Sequence, residues 1–131
     1  MAFSVVKSSG IPGYFTPGQY ITFDRALTDD RNLFDVSSGT FTNPFDYEKI
    51  FEFSASLYHA EETDNAIIVE KNGIKELEFR AFFDFDTFQD TLSFTWMSKL
   101  KGGDHIRLKV SAGSFSCRPY QNCVFSGKMM L

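Results

Sequence analysis

The segment that most constrains the fold is His105-Ile106-Arg107-Leu108-Lys109-Val110-Ser111. Every second residue is apolar, and each residue between is polar or charged. Successive side chains of a strand point to opposite faces, so this period of two requires a strand with one face buried and one face wet. Other runs repeat it. Leu77, Phe79, Ala81 and Phe83 alternate with Glu76, Glu78 and Arg80. From Ile50 to Tyr58, Phe51, Phe53, Ala55 and Leu57 share one face, with Glu52, Ser54 and Ser56 opposite. Leu92, Phe94 and Trp96 form a further apolar face, which makes Trp96 a core residue by default. Asn72-Gly73 sits between Ile67-Ile68-Val69 and Ile74. Asn-Gly suits a type I′ hairpin, whose two central residues both need positive φ.

Turn signals punctuate the chain at short intervals: Pro12-Gly13, Pro17-Gly18, Ser37-Ser38-Gly39, Asn43-Pro44, Gly102-Gly103 and Ala112-Gly113. No long segment of helical period lies between them. The reading is an all-β sandwich or barrel of about eight to ten strands. Sixteen Phe in 131 residues agree with it, since Phe suits pleated, half-buried surfaces. The length fits a single domain spanning 1–131. A net charge of −4 with no basic block gives a nucleic-acid partner no support. No apolar run approaches the roughly 18 residues of a membrane helix, so no membrane insertion is expected. The start, Met1-Ala2-Phe3-Ser4-Val5-Val6-Lys7, has no charged n-region and does not read as a signal peptide. Either the protein stays in the cytosol or a leader has been removed.

Several features, in order, resemble the C1q domain family. Ile21-Thr22-Phe23-Asp24 and Leu33-Phe34-Asp35 resemble its early strands. Gly39-Thr40-Phe41-Thr42-Asn43-Pro44, leading to Phe51-Glu52-Phe53, resembles its aromatic motif. Asn72-Gly73 falls where the family has a hairpin, and Leu100-Lys101-Gly102-Gly103-Asp104 resembles its Leu-x-x-Gly-Asp turn. Phe125-Ser126-Gly127 resembles the closing strand. One departure stands out: Pro44 is followed by Phe45-Asp46-Tyr47-Glu48-Lys49, longer than the family's turn and without its Gly. That turn is expected to be reshaped. No Gly-X-Y repeat is present, so this chain carries no collagen stalk.

The resemblance implies a jelly-roll β-sandwich of about ten antiparallel strands in two sheets, a tight homotrimer and an extracellular setting. It implies a secreted recognition module. The leading expectation is a lectin-like, innate-immune protein binding microbial glycan, lipopolysaccharide or other anionic ligands. The alternative is a matrix or receptor-organising trimer with a protein partner. An excised domain of a larger protein is a third reading. Fold alone does not choose among these.

Cys117 and Cys123 bracket five residues in the link between the last two strands. If those strands pair as neighbours, the cysteines face each other across a hairpin mouth at disulfide distance. Two unpaired thiols are the other possibility. Asp84, Asp86 and Asp90 supply hard oxygens in one segment, which makes calcium a possible cofactor. Glu61, Glu62 and Asp64 beside His59, and Asp29-Asp30, form two further acidic patches. His105, Arg107 and Lys109 project from one wet strand face in a row spaced by about 7 Å. They are candidates for an anionic ligand, or a charged edge that discourages strand addition. Arg118 and Tyr120, in the loop between the cysteines, are the other ligand-binding candidates. No hydrolase elbow, zinc-protease motif, phosphate-cradling Gly loop or Cys-x-x-Cys is present, so no enzyme is expected.

Overall fold

The computed structural model describes residues 2–7, 13–29, 31–59, 64–82, 91–117 and 123–130. Its strands are β1 (Ala2–Lys7), β2 (Tyr14–Phe15), β3 (Arg25–Asp29), β4 (Phe34–Asp35), β5 (Thr40–Thr42) and β6 (Lys49–Tyr58). They continue with β7 (Asn65–Lys71), β8 (Ile74–Ala81), β9 (Thr91–Leu100), β10 (His105–Ala112), β11 (Phe115–Ser116) and β12 (Cys123–Met129). Ten of them form two five-stranded antiparallel sheets, ordered β3-β1-β12-β6-β9 and β4-β5-β10-β7-β8. The short β2 and β11 pair with each other in a separate ribbon.

The alternation read from the sequence places the core. In β10, Ile106, Leu108 and Val110 are buried while Arg107 and Lys109 are half-buried on the other face. Phe51, Phe53, Ala55 and Leu57 of β6 and Leu92, Phe94 and Trp96 of β9 point inward as expected. Between the sheets the aromatic side chains interlock. Phe3 stacks on Phe34 and Phe41 with centroids 5.0 and 5.1 Å apart and meets Phe125 edge-on at 5.4 Å. Such offset and edge-on pairs add to the burial of apolar area. The Asn72-Gly73 turn joins β7 to β8 with φ of 54° and 80°, the two positive values that its hairpin type needs.

Strand β8 departs from expectation. Its Leu77, Phe79 and Ala81 alternate as read, yet Leu77 stays 37% exposed and Phe79 and Ala81 are half-buried. The cause is position. β8 is the edge of its sheet, and the opposite sheet ends at β9, which covers β8 through the Phe79–Phe94 stack at 4.4 Å, the Phe79–Trp96 contact at 6.0 Å and the Ser98 hydroxyl bonded to Glu76. Phe83, the fourth residue of that face, lies outside the described residues. Ile21 and Phe23 bond to their neighbours through Leu108 and Val36 carbonyls without forming a named strand.

At the far end of β1, Lys7 points inward and is 1% exposed, its ammonium 5.9 Å from the centre of the Phe15 ring. Burial lowers its pKa from the ordinary 10.5, and Asp24 acts in the opposite sense. The disulfide between Cys117 and Cys123 lies beside it, with Cα atoms 5.4 Å apart and both residues buried. The bond forms without the hairpin premise. Cys117 follows β11, which pairs with β2, whereas Cys123 opens β12, which pairs with β1 and β6.

Candidate functional site

The outer face of the second sheet holds the basic row from β10. Arg107 donates through Nε and Nη2 to the Ser38 carbonyl at 3.2 and 2.9 Å. Its guanidinium carbon also lies 3.4 Å from the centre of the Tyr20 ring. Lys109 sits 5.5 Å from the same ring and 3.7 Å from Glu70 Oε2. The Tyr20 hydroxyl donates to Glu70 Oε1. Tyr20 reaches this position because its backbone bridges to Lys109, so that its ring crosses β10 towards β7, where Glu70 pairs with Arg107. The hydrogen bond to Glu70, then burial and the Glu70 charge, raise the Tyr20 pKa from its ordinary 10.0, with Arg107 opposing.

Two of the three basic residues in the row are therefore engaged within the fold. Glu70 is 7% exposed, so its charge needs the Tyr20 hydroxyl and the Lys109 ammonium. The His105 ring makes no hydrogen bond among the described residues, while its backbone N–H donates to Asn72 Oδ1 at 3.0 Å. Beside the row, Glu78 accepts from Arg80 at 3.0 Å and from Ser111 at 3.2 Å. The Arg80 bond is the leading cause that holds its carboxyl below the ordinary range. Sequence reasoning missed Tyr20 and Glu70. Glu70 carried a signal, a lone charge ending the apolar run Ile67-Ile68-Val69, whereas Tyr20 carried none.

The other candidates fall elsewhere. Arg118 and Tyr120 lie outside the described residues, as do Asp84, Asp86 and Asp90, so the calcium reading is untouched by geometry. Among the described residues no cluster of three or more His, Cys, Asp or Glu could hold a metal ion. Of the other acidic patches, Glu61, Glu62 and Asp30 also lie outside. His59 is buried and shares a 3.2 Å contact with the Asn65 amide. The Asp29 carboxylate accepts from the backbone N–H groups of Leu33 and Phe34 at 2.7 and 3.2 Å, a structural role.

The first sheet presents a different surface. Its outer face is a shallow trough of small residues, with Ser4, Ser54 and Ser126 in one part and Ser56, Ser93 and Thr95 in the next. The charges lining the first part, Glu52 and Lys128, pair at 3.9 Å. On the first sheet's outer face Met97 stands 63% exposed in line with Ser93 and Thr95, while edge strand β8 leaves Ile74 73% exposed beside Lys75 and Glu76, with Leu77 and Phe82 exposed further along.

Two packed five-stranded antiparallel sheets in this order have the jelly-roll architecture of the C1q and tumour-necrosis-factor fold. The family model for the C1q domain matches residues 2–130. The chain belongs to the C1q domain family. Among solved structures it is similar to the globular domain of zebrafish complement 1qA protein, at 20% identity and a TM-score of 0.67. That match covers 99% of this chain and 97% of the other. The Eiger TNF of S. frugiperda is similar at 11% identity and a TM-score of 0.61, over 99% and 94% of the two chains. Murine APRIL follows at 12% and 0.58, over 98% and 99%. These likenesses are of fold. No curated protein matches the chain.

Proposed function

We propose that this chain is an extracellular recognition module that works as a homotrimer and binds its targets without catalysis. The observation that carries the reading is the pair of unlike surfaces on one chain: the exposed Ile74 and Leu77 on edge strand β8, and the small-residue trough on the first sheet, on whose face Met97 also stands exposed. A contact between two different patches is heterologous, and it closes into a ring when the rotation allows. Three is the number that the family resemblance implies. Exposed side chains of one copy's β8 edge fit the trough of the next, where serines leave room and few charges are stranded. The disulfide suits an oxidising compartment. Three copies bind by avidity, so weak single sites suffice.

The ligand reading is lectin-like, towards microbial glycans, lipopolysaccharide or other anionic groups, with calcium at the 84–90 segment as an accessory. A protein partner is the second reading. It is favoured by edge strand β3, where Leu27 is 56% exposed beside other exposed residues.

Light scattering tests the assembly. The wild-type chain is expected at three times its 14.9 kDa mass, and I74E/M97E at the single-chain mass with its fold retained. Repeating the measurement with calcium and with a chelator shows whether the metal supports the trimer. A wild-type monomer in both buffers overturns the reading. Pull-down of glycan and lipopolysaccharide by the trimer then separates the lectin-like reading from the protein-binding one.

A further inference from the structure

The Arg107 side chain is held in one pose. Nε and Nη2 both donate to the Ser38 carbonyl, and the guanidinium lies against the Tyr20 ring, 3.4 Å from its centre. Each support is itself anchored. The Ser37 and Ser38 side chains bond the Asp35 carboxylate, and the Gly39 N–H donates to the Asp35 carbonyl at 2.9 Å. Gly39 has φ of 72°, and a Cβ there would fall 2.1 Å from the Ile21 carbonyl oxygen. Only glycine lets this turn close on the chain beside Tyr20. Tyr20 is pinned in turn from both sides: the Val110 N–H donates to the Gln19 carbonyl at 2.9 Å, and the Ile21 N–H donates to the Leu108 carbonyl at 2.8 Å.

The charge of this side chain is left over. A guanidinium drawn partly out of water ordinarily meets a carboxylate. Among the described residues no carboxylate lies within ion-pair distance of Arg107. By register its partner should be Glu70, which stands directly opposite on β7. The Glu70 oxygens go elsewhere, Oε1 to the Tyr20 hydroxyl and Oε2 to Lys109 at 3.7 Å. Glu78, on the same outer face one strand further, accepts from Arg80 and Ser111. The fold thus orients the guanidinium and withholds a counter-charge from it.

The donors that remain select a ligand chemistry. A guanidinium carries five N–H groups in a planar fork. Its Nε–Nη2 edge is spent on Ser38. The Nη1–Nη2 edge is open, since Nη1 makes no hydrogen bond among the described residues. Two parallel N–H groups on one planar edge match two oxygens of a sulfate, phosphate or carboxylate, and a neutral hydroxyl offers no such pair. Lys109 and His105 flank Arg107 on the same face, each about 7 Å along the strand.

We infer that Arg107 binds an oxyanion group of a saccharide (sulfate, phosphate or carboxylate) through Nη1 and Nη2, with Lys109 and His105 beside it. The inference rests on the recognition reading above and deepens it: one residue of the basic row grips the ligand, and its neighbours assist. Tyr20 and Ser38 fix the fork before the ligand arrives, so little side-chain freedom is lost on binding.

NMR titration of the full chain at low salt tests it, with the Arg107 Nε–Hε signal as the probe. The titrants are methyl glucoside and its 6-sulfate, 6-phosphate and uronate forms. At least one charged glycoside should move that signal, the neutral glucoside should not, and the form that binds identifies the group. R107K keeps the charge but not the fork, and should weaken binding about tenfold, the loss of one charged hydrogen bond. E70Q keeps an acceptor for Tyr20 and removes the nearby negative charge. It should tighten binding about threefold, the effect in water of one charge about 7 Å away. The E70Q arm stands even where R107K fails to fold, which scattering mass and melting report. A wild-type trimer in which no charged glycoside moves the Arg107 signal, or in which the neutral one moves it equally, overturns the assignment. So does a folded R107K that binds like wild type, or an E70Q that binds no more tightly. Each of these leaves the recognition reading standing on the trimer's other surfaces, whereas a wild-type monomer sinks that reading itself.

Discussion

Replacing Tyr20 with Phe removes one hydroxyl and keeps the ring on which Arg107 rests. The hydroxyl donates to Glu70, a carboxylate that is 7% exposed. A hydrogen bond to a charged group contributes about 1.5–3 kcal/mol. Glu70 keeps Lys109, whose side chain is 34% exposed and whose pairing is partly screened, so the loss falls at about 2 kcal/mol. For a chain of this size that is about 6–10 °C in melting temperature. Thermal and urea unfolding at one fixed protomer concentration measure it, because assembly itself shifts apparent stability. A double-mutant cycle with Glu70→Leu isolates the contact, and there the added cost of Y20F should fall below about 0.5 kcal/mol. The pH dependence has a definite sign. The Tyr20 pKa is raised in the fold, so its contribution is complete below the ordinary 10.0 and is lost as pH climbs through the raised value. The gap between wild type and Y20F should close over that window, together with the rise of phenolate absorbance. A Y20F chain as stable as wild type, or an undiminished loss in the Glu70→Leu background, refutes the reasoning.

Two further changes probe the end of the sandwich near the disulfide. C117S/C123S should cost about 2 kcal/mol, the value for closing a short loop, read by melting with wild type under reducing conditions as the match. K7M should raise stability by about 1 kcal/mol at pH 7, the low end for replacing a buried charge with an apolar chain. A lysine whose pKa is lowered in the fold opposes folding while protonated, so this gain should shrink as pH rises towards 10.5; a pH-independent gain contradicts the assignment to burial.

The sheets were legible because their strands have one wet face. Along 105–111 and 51–57, polar and apolar residues alternate without a break, and that period survives whatever the strand packs against. Period does not report depth of cover. Leu77 alternates as faithfully as Leu108, yet one sits at an edge and the other in the middle of a sheet. The basic row was legible as a row and illegible as a network, because its partners Tyr20 and Glu70 stand 50 residues apart and meet only through the fold. Ribbon β2–β11, two residues a side, is too short for any period to show. The Phe45–Tyr47 departure from the family pattern was visible as an oddity of spacing. Its meaning needed Gly102, which the antiparallel β6–β9 pairing brings to the same end of the sheet, against the Phe45 carbonyl.

The chain's one tryptophan stands on edge strand β9, stacked on Phe53 at 5.1 Å and tilted against Phe79 of β8 at 6.0 Å. Its indole N–H is buried without a hydrogen-bond partner among the described residues. Evolution has therefore left a single optical reporter at the seam where copies are proposed to meet. Its emission should be blue-shifted in the folded chain and shift further blue when a neighbour covers the edge at Phe79. Dilution through the dissociation range can then follow assembly with the native residue alone, at concentrations far below those that scattering requires.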